Sequence, residues 1–532
     1  MTWFSLPITE QNTKAAFADS AAATAWLAQQ PLANAAAMQT ELIRQIQALN
    51  AFRMAPRERF KTLEVLRKTI FMIDGESQRR FENRPIPLWS SEQSALDTAR
   101  RLWRCCSVAY LHCLRACLDG DTEIVEFKAK IAHRTLVCLR MEQLTSYLGG
   151  QDLEPDFWRT LHSILAAAEQ LGITRTPIAD RLLVETSEST ITGQYAMTLL
   201  LHLARPFELS RNQFAAATRW FARWREQADI TTNTSIPAKS NDIPLDLSLD
   251  EPIAEPGCTP GIPRLLKTEN VLRKIRKRIE ALEAGESPES LKLGNGMSSE
   301  TCISLLKKLT ENLHSPLQAL ASVSAGATQA KVATGLDNIH RQLGGKSLKQ
   351  TEELSSINRR EQEQIAIFGQ MSHLSEEKNT AKSDDWLLMP DSEPDGKLHL
   401  CRPAGTGEAR LSNKCLLALN IAGHTGFSLA TVVSLCMHSD GSLHAIARPL
   451  SGKPVPRVAD ISERPMGKVT RQPAFLLPAV EPTGTPQSII LPSGAQARAL
   501  SINLDQERAT PLKLLSCIER GSDYERWSYG SI

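Results

Sequence analysis

Two neighbouring guanidinium groups and one carboxylate-led glycine turn are the residues of this chain whose types and spacing suit ligand chemistry. The arginines lie in Arg359-Arg360-Glu-Gln-Glu-Gln364, and the turn is Asp391-Ser-Glu393-Pro-Asp-Gly396. A guanidinium presents a rigid fork of donors that grips phosphate oxygens in pairs and stacks on flat ring faces. A carboxylate accepts from N–H edges, and glycine lets the backbone come close to whatever sits in the turn. The same residues also fit a plainer reading. Arginine-rich stretches form solvated helix faces, and an Asp-rich glycine turn can serve simply to reverse the chain.

The elements that must hold the turn are strands. Leu398 and Leu400 alternate with His399 and Cys401. Apolar and β-branched residues at 427–437 and 443–447 flank Ser439-Asp440-Gly441, which reads as a hairpin closed by an Asp-Gly turn. Ser488-Ile489-Ile490-Leu491 runs into Pro492-Ser493-Gly494, and 511–518 leads on to Tyr524, Trp527 and Tyr529. Short runs cut by turn residues at this spacing predict one small antiparallel barrel over 386–532.

The two motifs and the strands that follow resemble the PilZ family of cyclic-di-GMP receptors. In that family an Arg-x-x-x-Arg linker precedes a small β-barrel bearing an Asp/Asn-x-Ser-x-x-Gly turn. Arg360 falls on the first arginine, and Asp391 and Gly396 fall on the first and last positions of the turn. Gln364 stands at the second arginine and Glu393 at the serine. A neutral amide brings no charge to a phosphate, and a second carboxylate repels a dianionic ligand. The resemblance implies cyclic-di-GMP as ligand, with Arg359, Arg360, Asp391 and Gly396 as its contacts. It also implies a receptor or adaptor acting with a protein of a surface-motility, type IV pilus or flagellar apparatus.

Catalytic patterns are missing. Gly344-Gly345-Lys346-Ser347 ends like a phosphate-binding loop, but His340 occupies the place of the leading glycine. No Gly-x-Ser-x-Gly elbow, His-Glu-x-x-His pair or Gly-x-Gly-x-x-Gly fingerprint occurs. His314, His424 and His444 have no acid or nucleophile at a useful spacing, so packing or surface is their expected role. Eleven cysteines, an odd number, argue against a disulfide framework. Cys105, Cys106, Cys113 and Cys117 share a helical segment with Leu96, Trp103 and Tyr110, so core packing rather than metal binding is expected.

Charge and hydropathy bound the rest. Lys and Arg number 61 against 59 Asp and Glu, a net charge of +2 that gives no global field for nucleic acid. No apolar run reaches the length of a membrane span, and the Met1-Thr-Trp-Phe-Ser start lacks the features of a signal peptide, so a cytoplasmic location is expected.

Upstream of the barrel the periodicity is helical. Pro56 opens a helix with a stripe of Phe60, Leu63, Leu66 and Ile70, expected to end at Asp74-Gly75. Asp121 is expected to cap a helix running to Leu148, and 187–204 reads as another. Ser210-Arg-Asn-Gln213 is a capping box before Phe214, Trp220, Phe221 and Trp224. The expected organisation is an α+β multidomain chain: an α-helical domain over 1–228, a disordered Pro/Ser-rich linker over 229–263, a mainly helical middle region over 264–371, a connector over 372–385, and the PilZ-like barrel over 386–532. The basic run Arg273-Lys-Ile-Arg-Lys-Arg278 in the middle region suits phosphate or lipid contact, or a solvated face. With no catalytic residues, metal or cofactor expected, a non-enzymatic receptor is the leading function. A nucleotide-independent scaffold and a hydrolase with a non-local active site are the alternatives.

Overall fold

The computed structural model describes residues 4–11, 15–31, 34–183, 188–232, 242–254, 261–314, 326–345, 382–390, 396–462, 469–480, 484–494, 502–504 and 511–531. They fall into two compact units, Met1–Leu320 and Ala321–Ile532.

The first unit is helical. Its helices are α1 (Ser20–Ala28), α2 (Ala35–Asn50), α3 (Pro56–Gln78), α4 (Ser90–Leu118), α5 (Lys128–Leu148), α6 (Pro155–Gln170), α7 (Ile191–Leu203), α8 (Arg211–Trp224), α9 (Glu269–Glu283) and α10 (Ser299–His314). One apolar core runs through all of them, from Ala23 of α1 to Leu313 of α10. α5 is buried on nearly every face although it carries His133, Arg134, Arg140, Glu142 and Gln143. Polar groups at that depth must find partners. Asp180 takes both Nη1 and Nη2 of Arg67, at 2.8 and 2.5 Å, together with Nη1 of Arg134 at 2.7 Å. Arg134 Nε donates to Glu64 at 3.3 Å, and the Tyr110 hydroxyl donates to the same oxygen at 3.0 Å. This network joins α3, α4 and α5 to the loop after α6.

Several boundaries differ from expectation. α3 continues through Asp74-Gly75 because Asp74 is not a terminus. Its carboxylate is buried, accepting from Trp103 Nε1 at 2.8 Å and Gln78 Nε2 at 2.7 Å. Asp121 does not cap α5, which starts only at Lys128. Residues 188–189 form a two-residue strand β2 (Glu188–Ser189) against β1 (Ile178–Ala179), and α7 begins after the N-cap Thr190. The expected linker 229–263 instead supplies strands β3 (Asp229–Thr231), β4 (Ile243–Asp246) and the start of β5 (Pro263–Lys267), with β5 central in an antiparallel sheet. Ile243, Leu245 and Leu266 enter the helical core. Asp246 gathers Ser248 N, Gly261 N and Ile262 N at 2.6–2.9 Å, and its hydrogen bonds hold its pKa down at about 2 against the cost of burial. Strands this short, separated by Pro and Ser, leave a composition like that of a linker. Cys105, Cys106, Cys113 and Cys117 are buried thiols as expected, and burial pushes Cys113 up to about 12.

The second unit holds two closed barrels rather than one. The first begins well before residue 386, with β6 (Thr328–Thr334) and the short helix α11 (Leu336–Gln342). β7 (Asp384–Leu388), β8 (Leu398–Arg402), β9 (Leu416–Ile421), β10 (Ser428–Met437) and β11 (Leu443–Pro449) complete it, in the cyclic order β6-β7-β8-β11-β10-β9. The predicted hairpin is β10–β11, turning at Asp440-Gly441 with Gly441 at φ +82°. β12 (Val455–Ser462), β13 (Val469–Leu477), β14 (Ser488–Pro492), β15 (Ile502–Leu504), β16 (Pro511–Arg520) and β17 (Tyr524–Ser531) close the second barrel, in the order β12-β13-β14-β17-β16-β15. Every pairing is antiparallel. Closure removes the free edges that a six-stranded sheet would expose.

The barrels share an apolar seam of Ala333, Ile339, Leu416, Ala418 and Leu429 from the first with Phe475, Leu477, Ile490 and Tyr524 from the second. Polar ties reinforce it. The Thr431 and Tyr524 hydroxyls are 2.6 Å apart, and Leu416 N donates to Asp523 Oδ1 at 3.0 Å. Gly344-Gly345 is the C-terminal cap of α11: Gly344 takes φ +78°, and the amides of both glycines bond back to Arg341 and His340. His340 itself is buried and donates Nε2–H to the Arg457 carbonyl at 3.0 Å.

Candidate functional site

Of the four candidate contacts, Gly396 is placed by the structure; Arg359, Arg360 and Asp391, like Gln364 and Glu393, lie outside the described residues. Gly396 stands just ahead of β8 at φ +71°, exposed, with no atom of the described residues within 4 Å of where a Cβ would stand. That is the left-handed backbone for which glycine is suited, with room for a ligand to approach.

Strand register shows what shares this rim. Thr328 of β6 pairs with Leu388 of β7 on one side, and Ala330 pairs with Ile421 of β9 on the other. The β7–β8 and β9–β10 turns therefore leave the first barrel at the same end, flanking the start of β6. Two strand spacings put them about 10 Å apart. The second turn is Asn420-Ile-Ala-Gly-His-Thr-Gly426, with Gly423 at φ +87° and Gly426 at φ +84°. Its 422–426 stretch is exposed and is anchored by Ala422 N donating to Gln329 O at 2.9 Å. Sequence reasoning passed over it. One extra residue separates Asn420 from Gly426 relative to the Asp/Asn-x-Ser-x-x-Gly pattern, and Ala422 stands at the serine. The legible signal was an Asn-led pair of glycines directly after the apolar run Leu416–Leu419.

Arg402 lies at the other end of β8 from this rim and is buried. Its guanidinium stacks 5.4 Å from the ring centre of buried Trp386 and donates from Nη1 to Asp384 Oδ2 at 2.9 Å and to the Ala409 carbonyl at 2.7 Å. It fixes the loop after β8, and being buried it is a structural cation.

β8, β11 and the turn before β11 carry a largely buried relay. Ser442 donates to Asp440 Oδ1 at 2.5 Å, so its oxygen accepts from His444 Nε2 at 2.9 Å. His444 Nδ1 then accepts from His399 Nε2 at 3.0 Å. The His438 ring stacks on His444 at 3.8 Å, and Cys401 Sγ lies 3.6 Å from His444 Nε2. Burial, then the neighbouring His438 and His399, push the His444 pKa down to about 3. This order cannot activate a nucleophile: the carboxylate bonds the serine and not the imidazole, reversing the orientation a Ser-His-Asp site needs. In the helical unit His133 and Ser189 are 2.7 Å apart, but both are buried and Arg134 faces the other imidazole nitrogen at 3.2 Å. Among the described residues no group of side chains is arranged to hold a metal ion.

Comparison with known proteins bears on both ends of the chain. Residues 21–237 match the N-terminal domain of the cyclic-di-GMP receptor FimW, and residues 464–532 match the FimW C-terminal β-barrel domain. The chain belongs to the FimW family. A curated relative, the cyclic-di-GMP receptor FimW of Pseudomonas aeruginosa, is 22% identical over 215 residues, 39% of this chain. The match spans 35% of that relative's length. No solved structure matches. The N-terminal match runs from α1 past β3, so the sheet expected as a linker begins inside a family domain. The C-terminal match lies on the second barrel, while Gly396 and the Asn420 turn lie on the first. No helix among the described residues is long and apolar enough to cross a membrane.

Proposed function

We propose that this protein is a non-enzymatic cyclic-di-GMP receptor that acts as a cytoplasmic effector adaptor on a surface-motility apparatus, type IV pili or flagella. The observation that carries the reading is the presence of both FimW domains in one chain, in order. The curated relative that matches 39% of the chain is itself named a cyclic-di-GMP receptor. The rim of the first barrel supports it, offering glycine turns beside one another where a flat base could lie against backbone. In this proposal Arg359 and Arg360 supply the phosphate charge that Gln364 does not, Asp391 reads a base edge, and Gly396 admits the ligand. The helical unit then carries the protein partner.

The test is titration calorimetry with cyclic-di-GMP on the full chain. Wild type should bind. Arg359→Ala and Arg360→Ala should each lose about 1.5–3 kcal/mol, the worth of a charge-assisted hydrogen bond. Gln364→Arg should tighten binding by restoring the second linker arginine. No heat at high nucleotide concentration, with both barrels folded, would leave the scaffold reading in its place. That reading rests on Gln364 and Glu393 occupying positions where the PilZ pattern has arginine and serine.

A further inference from the structure

The basic run on α9 has a structural context that the receptor reading does not use. By helical spacing Lys274, Lys277 and Arg278 share one flank, while Glu269, Arg276, Glu280 and Glu283 lie on the other. Val271, Leu272, Ile275 and Leu282 bury the face between them. The basic flank meets α8, where the Arg278 guanidinium lies 6.0 Å from the Trp224 ring centre. α8 adds exposed Arg219 and Arg223, one turn apart. Both reach the loop after α9: Arg223 donates to the Lys292 carbonyl, and Arg219 Nη2 comes within 3.8 Å of where a Cβ on Gly294 would stand. Trp220 Nε1 pins that loop by donating to Leu293 O at 3.0 Å, leaving Lys292 exposed beside the two arginines.

Among the described residues, none of Arg219, Arg223, Lys274, Arg278 and Lys292 has a carboxylate within ion-pair distance. Elsewhere in the same unit several exposed arginines are paired, as Arg44 is with Glu41, Arg159 with Asp250, Arg175 with Asp229 and Arg211 with Glu82. Glu226, just past the end of α8, is taken by the Thr190 amide and hydroxyl at 3.0 and 2.8 Å and by Arg225 Nε at 3.6 Å. The like charges are felt: Lys274 is lowered by burial and then by Arg278. A chain with nearly balanced charge has kept self-repelling cations on one face, a cost that a complementary partner would remove.

We propose that the α8–α9 face is a docking surface for an acidic segment of a partner protein. Guanidinium forks match carboxylates, and two rows of cations one helical turn apart suit an extended run of Asp and Glu. Nucleic acid fits less well, since Trp220 and Trp224 are buried and offer no face for base stacking. A membrane surface also fits less well: among the described residues of this unit the exposed large apolar side chains, Ile8, Met72, Trp89 and Val125, belong to other elements.

The experiment uses the full chain and fluorescence anisotropy with a labelled oligoglutamate peptide. Phosphatidylserine vesicles and a single-stranded oligonucleotide are the competing anions. Oligoglutamate should bind in a salt-sensitive way, and the pair Lys274→Glu with Arg278→Glu should weaken it on the order of tenfold or more. The matched pair Arg273→Glu with Arg276→Glu, on the opposite flank of the same helix, should weaken it no more than about twofold. Circular dichroism checks that both variants keep their helices, and Arg219→Gln with Arg223→Gln, on a different helix, repeats the test without charge reversal. Equal loss in both flanks, or wild-type affinity in the α8 and α9 variants, would overturn the proposal. So would tighter binding of vesicles or oligonucleotide through these same residues.

Discussion

The two barrels close in the same way, six antiparallel strands each, yet they divide the informative features between them. The second is the one the FimW C-terminal domain recognises, and its own core is Ala459, Ile461, Ala474, Ile489, Leu491, Leu512 and Trp527. The first carries the glycine turns, the ion pair of buried Arg402 with Asp384, and a relay of histidines. The second barrel's sequence, from residue 455 onward, has no histidine at all. In this molecule, therefore, the stretch that announces the family is not the stretch that offers a site. The apolar seam makes the first a fixture of the second.

The largest expected effect breaks that seam. Phe475 is fully buried between the barrels, and Phe475→Ala should cost about 3–5 kcal/mol. Peptide-resolved hydrogen exchange should show β9 and β10 opening together with β13 and β14. Faster exchange confined to the second barrel would mean that the two fold independently. A smaller contrast comes from the buried arginines. Arg402→Met takes the cation from the half-buried Asp384 carboxylate, which keeps the Ala409 amide at 3.2 Å, and should cost about 2–3 kcal/mol. Arg526 of the second barrel donates to the Ser488 hydroxyl at 2.9 Å, a neutral partner, so Arg526→Met should cost only about 1 kcal/mol. Urea melts of the two variants compare them directly.

Acid should separate the barrels as well. His444 stays neutral in the fold down to about pH 3, whereas an unfolded histidine takes its proton near 6.5. Between those values the unfolded state binds the extra proton, so stability falls as pH falls, by up to about 1.4 kcal/mol per pH unit. In the second barrel burial raises Asp523 above its ordinary value. That carboxylate is costly when charged, so lowering the pH through its folded pKa relieves the second barrel slightly. Exchange corrected for its intrinsic pH dependence should show β8 and β11 loosening before β13 and β14.

The fold was legible wherever local pattern and tertiary role agreed. Ser210 with Gln213 capped α8 as its spacing required, and Asp440-Gly441 turned a hairpin between two apolar runs. It was illegible where tertiary partners overrode local signals. Asp74-Gly75 looks like a helix end until Trp103 is seen to hold the carboxylate inside the core. β6 is a single seven-residue strand separated from β7 by a long stretch of chain, so nothing local joins it to a barrel. In the candidate site, Gly396 is exposed and takes the positive φ for which glycine is suited. The neighbouring Asn420 turn departs from the pattern by one residue, and only the pairing of β6 with both β7 and β9 reveals that the two share a rim.

The smallest expected effect on stability is also the one that bears most directly on that rim. Asn420 is the half-buried penultimate residue of β9, ahead of the exposed 422–426 stretch, and Asp391 heads the sequence motif that ends at Gly396. Polar residues of turn-forming sequences contribute little to folding as a rule, so Asn420→Ala and Asp391→Ala should each change stability by no more than about 0.5 kcal/mol. If the ligand lies across both turns, each change should still weaken cyclic-di-GMP binding several-fold, and the double variant should lose less than the sum when the two side chains contact one base. Calorimetry on the two single variants and the double variant gives the coupling. Full additivity would put the two contacts on independent parts of the ligand. An effect from Asp391 with none from Asn420 would confine the site to the β7–β8 side of β6.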